Sequence, residues 1–221
     1  MAYRSILEWP HPTLKKVSDP VNLEDSTLPA LIKDLSDTLN VESGLAIAAP
    51  QIGELKRAVL IDLSHLGLDN PDTDSSPLDQ ESVWVLLNPI LEDPQGTVRG
   101  DEGCLSVPWA TASVSRYENI TLKYHTAGGL AKKMRVEPPL SVVLQHEIDH
   151  LDGKLYIDRV SRMVANRVKK SIIKRRKKLQ EARNDLLSNP DEVKVGRPKK
   201  NSSLSRKELA KRKKNKRTNK K

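Results

Sequence analysis

Leu140-Ser141-Val142-Val143-Leu144-Gln145-His146-Glu147-Ile148-Asp149-His150-Leu151 follows a Pro138-Pro139 pair and precedes Gly153. Proline is tolerated at a helix start and glycine caps a helix end, so the spacing predicts a helix over Leu140–Leu151. On such a helix His146 and His150 lie one above the other, and both imidazoles can reach one metal ion. Glu147 then stands beside the open coordination position, where it can take a proton from water. The competing reading is a polar helix face with no metal. The chain has five histidines, and two of them at this spacing around a glutamate favour the metal. His11, His65 and His125 are expected to have no metal role.

Upstream, Leu28, Leu31, Ile32, Leu35 and Leu39 fall at helical spacing with Pro29 near the start, which predicts an amphipathic helix. Gly44-Leu45-Ala46-Ile47-Ala48-Ala49-Pro50-Gln51 is small and apolar, better suited to walling a site than to a regular helix. Short strands are expected at Ala58–Leu63, Val83–Leu87, Ala112–Ser115, Ile120–His125 and Leu130–Val136. The last two should form a hairpin across Gly128-Gly129. His65–Ser82 reads as a polar surface loop. The fold class that follows is α+β, with short, mostly antiparallel strands around the ligand-bearing helix.

Charge divides the chain. Residues 1–158 hold 13 Lys+Arg and 24 Asp+Glu, a balance of −11, whereas residues 159–221 hold 25 and 5, a balance of +20. The expected organisation is a catalytic domain over 1–160, a basic amphipathic helix over 161–188 and a disordered cationic tail over 189–221. In the basic helix Val164, Val168, Ile172, Leu179 and Leu186 form an apolar stripe expected to pack on the body. Gly196-Arg197-Pro198-Lys199-Lys200 has the form of an AT-hook, but one copy of so short a motif carries little weight. A single cysteine, Cys104, excludes an intramolecular disulfide. Met1–Pro10 lacks an apolar core of signal-peptide length, and no run approaches the roughly 18 apolar residues that span a bilayer, so a cytoplasmic location is expected.

A catalytic metal usually takes three protein ligands. An extended H-E-x-x-H-x-x-G-x-x-H pattern would supply a third histidine, but Tyr156 stands at that position. A glutamate on a later helix is a second route, and Glu181, the nearest candidate, sits among Lys177, Lys178 and Arg183. The third route is Cys104, where the preceding Gly103 would allow a tight turn that aims the thiolate. A buried small hydrophobe is the alternative role for this cysteine.

Three stretches in order now resemble the hallmarks of the peptide deformylase family: Gly44-Leu45-Ala46-Ile47-Ala48-Ala49-Pro50-Gln51, Glu102-Gly103-Cys104-Leu105-Ser106 and Gln145-His146-Glu147-Ile148-Asp149-His150. An opening of the Ile6-Leu7…Pro10…Pro12…Leu14 type agrees, and the resemblance covers about residues 3–165. Ala46 departs from it, standing where the family pattern has its second glycine. The added methyl group would narrow a peptide groove or oppose a positive φ.

The resemblance implies hydrolysis of the N-formyl group of formyl-methionine on nascent chains, with release of formate. It implies Cys104, His146 and His150 as metal ligands, Glu147 as general base, and Gln51 with the Leu105 backbone N–H as oxyanion donors. Leu45, Ala46, Val142 and Val143 are expected to contact the substrate. Glu102 and Asp149 are expected to orient the ligand histidines. A thiolate with two imidazoles suits Zn²⁺, Fe²⁺ or Ni²⁺, and the resemblance implies native Fe²⁺. The basic tail is expected to meet the ribosome, with the enzyme a monomer and no membrane partner. A metallopeptidase, or an inactive nucleic-acid-binding relative, is the alternative.

Overall fold

The computed structural model describes residues 3–72 and 82–188. Part of the expected acidic loop, the cationic tail and the Gly196–Lys200 segment lie outside the described residues. By internal contacts the chain separates into a unit spanning Met1–Lys174 and a second spanning Arg175–Lys221.

The first unit is built on a five-stranded antiparallel sheet of β1 (Ala46–Ala48), β2 (Ala58–Asp62), β3 (Val83–Gln95), β6 (Asn119–His125) and β7 (Ala131–Val136), in that spatial order. A separate hairpin pairs β4 (Val98–Cys104) with β5 (Val107–Arg116). Side chains of a strand alternate between faces, and here both faces are covered. Ala58 and Leu60 of β2 join Ile32, Leu35 and Leu39 of α1 (Leu28–Glu42) in one core cluster. Val59 and Ile61 join Leu144, Ile148 and Leu151 of α2 (Leu140–Leu151) in the other. This is why Ala58-Val59-Leu60-Ile61 of β2 is an unbroken apolar run. The sheet lies between the two helices, and α2 is fixed by one face, which leaves its other face for chemistry.

The ends of α2 follow the sequence. Gly153 takes φ +69, and the Lys154 N–H closes on the Asp149 carbonyl at 2.8 Å. A Cβ at Gly153 would stand 2.7 Å from the Lys15 carbonyl oxygen, so the αL turn and the close approach both require glycine. The β6–β7 hairpin turns at Gly129, φ +81, as expected.

Some elements differ from expectation. Ala46–Ala48 is a strand paired to β2, and β3 continues past Leu87 to Gln95 through an irregular register. β4 was not foreseen. The first part of the expected loop is not wholly surface, because Asp72 is buried and accepts from Trp84 Nε1 at 2.8 Å and Tyr124 Oη at 2.9 Å. The basic helix, α3, runs Arg162–Ser188. Val168 and Ile172 are buried with β5 and Tyr156, but Leu179 and Leu186 are exposed. The buried part of the stripe is therefore its first half; Leu179, Leu186 and the neighbouring Leu187 stand exposed among the cations.

Candidate metal centre and cleft

α2 turns His146, Glu147 and His150 away from the sheet, and β4 brings Cys104 to meet them. Gly103 does not have a positive φ, so the turn does not depend on it. A register shift between Glu102 and Cys104 re-aims the strand there instead, as bulges beside active sites do. One ligand atom from each of Cys104, His146 and His150 lies within 4.8 Å of the others. Cys104 Sγ and His150 Nε2 are 3.3 Å apart, near the about 3.5 Å that tetrahedral zinc imposes on a sulfur and a nitrogen ligand. No other such group occurs among the described residues.

Glu147 is buried, and its Oε2 has no hydrogen-bond partner among the described residues. Burial pushes its carboxyl up to about 7, so its charged and neutral forms lie close in free energy, as a group that takes and returns a proton requires. A thiolate, two imidazoles and this orphaned carboxylate oxygen fit a divalent metal of borderline softness.

Gln51 closes the far side. Its Oε1 accepts from the Ala48 N–H at 2.8 Å, so Nε2 must face Ser106 Oγ at 3.2 Å and Cys104 Sγ at 3.8 Å. The amide thus presents a donor to the centre.

Behind the ligands lies a chain of buried charge. His146 Nδ1 meets Glu102 Oε2 at 2.8 Å, leaving Nε2 for a metal. Arg116 donates to both Glu102 oxygens, at 2.7 and 2.8 Å, and to Asp149 Oδ2 at 2.5 Å. Burial would raise the Glu102 carboxyl, but the hydrogen bonds from Arg116 and His146 outweigh it and hold the group at about 2. Glu102 therefore fixes the ring of His146, one of the expected ligands. Asp149 does not: it bonds Arg116 and Arg159 rather than an imidazole. One helix position away from His150, its carboxylate points off the metal-facing side. Tyr156, at the position where a third histidine would have stood, stacks on the His146 ring at 6.2 Å and 20° and donates to the Ala110 carbonyl at 2.9 Å. Its ring thus packs on that of His146, and its hydroxyl is held by the Ala110 carbonyl.

The centre opens into a cleft of about 750 Å³ lined by Leu45, Ala46, Gln51, Cys104, Leu105, Val142, Val143, His146 and Glu147. The structure thus brings every substrate-contact and oxyanion candidate to one cleft. Leu45 and Val143 also pack on the core. Ala46 lies in β1 without a positive φ, so its methyl group opposes no backbone requirement. Arg116 was missed. Its signal lay in the alternation of β5, where Ala112, Val114 and Arg116 all point inward and are buried.

A donor set of this kind beside a buried carboxylate, at the base of an apolar-walled cleft, defines a metal-dependent hydrolase. Residues 3–166 match the polypeptide deformylase family, and the chain belongs to that family. It is similar to the peptide deformylase of Rhizorhabdus wittichii, 39% identical over 178 residues, covering 80% of this chain and 97% of that one. The peptide deformylase of Wolinella succinogenes is 34% identical over 172 residues, covering 78% and 96%. The solved structure of a peptide deformylase from Legionella pneumophila has 35% identity and a TM-score of 0.70, covering 81% of this chain and 98% of that one. That from Ehrlichia chaffeensis in complex with actinonin has 27% identity and a TM-score of 0.67, covering 79% and 98%. Among the described residues no helix is long and apolar enough to cross a membrane.

Proposed function

We propose that the chain removes the N-formyl group from the terminal formyl-methionine of nascent polypeptides and releases formate. The observation that carries this reading is that the Cys104, His146 and His150 donors lie together while Cys104, His146, the buried Glu147 carboxyl and the oriented Gln51 amide line one cleft.

Cys104, His146 and His150 would hold a divalent metal, which when bound would lower the pKa of water from 15.7 toward about 7 and polarise a carbonyl. Glu147 takes the proton of the attacking water. It returns that proton to the leaving nitrogen as the C–N bond breaks, giving formate and a free amino terminus. Negative charge develops on the formyl oxygen, and Gln51 Nε2 with the Leu105 backbone N–H donates to it. Leu45, Val142 and Val143 hold the methionine side chain.

The substrate backbone has a complementary partner in β1, the end strand of the sheet. The Asp62 N–H bonds the Leu45 carbonyl, and Ala46 lies opposite Ile61. Antiparallel pairs alternate between bonded and non-bonded, so the Ala46 N–H and C=O face the open edge. An extended peptide adds there as a further strand, whatever side chain residue 46 carries.

The native metal is Fe²⁺ in this reading, and Zn²⁺ and Ni²⁺ suit the same donors. The basic helix and tail hold the enzyme at the ribosome, in the cytoplasm, as a monomer. Protein purified without oxygen and given a formyl-methionine peptide should release formate and free amine in equal amounts, and leave an unformylated peptide intact. Cleavage of the unformylated peptide without formate release would point to a peptidase instead.

A further inference from the structure

We propose that Arg159 is a positioning residue for the metal centre, acting through Asp149, Arg116 and Glu102 on the ligand His146. The proposal rests on the metal-centre reading above.

The chain of contacts is continuous. Arg159 Nε donates to Asp149 Oδ2 at 2.9 Å, and its Nη2 donates to Asp149 Oδ1. Arg116 Nη1 donates to the same Asp149 Oδ2 at 2.5 Å. The other two nitrogens of that guanidinium, Nε and Nη2, donate to Glu102 at 2.7 and 2.8 Å, and Glu102 meets His146 Nδ1 at 2.8 Å. Arg116, Glu102 and Asp149 have side-chain exposures of 2%, 7% and 5%, whereas that of Arg159 is 43%. The relay thus begins at the surface and ends at a metal ligand.

Charge explains why the outer arginine matters. Two buried carboxylates share one buried guanidinium, which leaves one negative charge uncompensated, and unpaired buried charge is costly. Arg159 supplies the second cation. While it is bound to Asp149 by a two-point fork, Arg116 can keep two of its donors on Glu102. Without it, Asp149 has only Arg116 and draws that guanidinium toward itself. The Glu102–Arg116 geometry loosens, and so does the hold on the His146 ring. Arg159, Arg116 and Asp149 also line a second cleft of about 530 Å³, so the outer end of the relay is open to solvent.

The test uses the full chain loaded with Co²⁺, whose visible spectrum reports ligand geometry, and with Zn²⁺, whose release to a chelator reports affinity. Arg159→Ala should shift the Co²⁺ spectrum and release Zn²⁺ about tenfold faster, the low end of the 10–100-fold typical for a partner of a metal ligand. Its kcat should fall with KM little changed. Arg159→Lys restores the charge without the fork and should lie between Ala and wild type. Lys123→Ala, which removes the exposed pair with Glu92, should leave spectrum and release unchanged. If Arg159→Ala loses thermal stability but keeps wild-type spectrum and metal release, the residue is merely structural and the proposal falls. Should Arg159→Ala fail to fold, the same readings on Arg159→Lys decide it. If the wild-type chain binds no metal, the metal-centre reading fails instead.

Discussion

Gln51 satisfies a buried N–H and, in the proposed mechanism, also donates to the oxyanion, and substitution can separate the two. It is 2% exposed. Its Oε1 satisfies the Ala48 N–H at 2.8 Å and its Nε2 faces the centre. Gln51→Ala leaves that buried N–H without an acceptor, costing about 1–3 kcal/mol of stability. It also removes one oxyanion donor, costing about 2.7–4 kcal/mol at the transition state, a fall of about 10²–10³-fold in kcat. Gln51→Glu keeps an acceptor for Ala48 but places an oxygen where the donor stood. Its stability should lie nearer wild type, while its kcat falls at least as far. KM should move little in both, because the lost interaction forms with the transition-state charge. Formate release across a range of formyl-peptide concentrations, with thermal unfolding of each variant, measures both effects. A Gln51→Glu variant within about threefold of wild-type kcat would refute the donor role of residue 51, since its amide N–H would be gone while the Leu105 N–H stayed in place.

Cys104→Ser should lower metal content or change the metal retained, because the soft thiolate is lost; elemental analysis and turnover check this, and unchanged values would assign the third ligand elsewhere. Residues 189–221 carry 14 Lys+Arg and 3 Asp+Glu. Truncation after Ser188 should leave turnover of a small formylated peptide within a few-fold, while binding to ribosomes weakens and loses steepness in salt. An unaltered ribosome affinity and salt slope would show the tail to be only solvated.

How far the molecule could be read from its sequence depended on where each signal resides. α2 was legible because periodicity, a proline pair and a glycine stop agree along one short segment, and because two imidazoles four apart can meet without help from the rest of the chain. β4 was hidden: six of its seven residues are not buried, and its apolar partner positions lie on β5. β1 was hidden by its small residues, whose burial comes from neighbours. Asp149 was misread because a charged residue beside a ligand histidine suggests a contact with it, and only the direction of its side chain shows the two arginines. Arg116 was discoverable in principle, being an inward position of an alternating strand. A buried arginine demands carboxylates, and Glu102 and Asp149 were already in view.

The central claim is that the attacking water loses its proton to Glu147. Glu147→Gln preserves volume and cannot accept that proton. Metal content should match wild type, while formate release from a formyl-methionine peptide should fall about 10²–10⁴-fold. Retention of more than about a tenth of wild-type turnover with the metal still bound would contradict it.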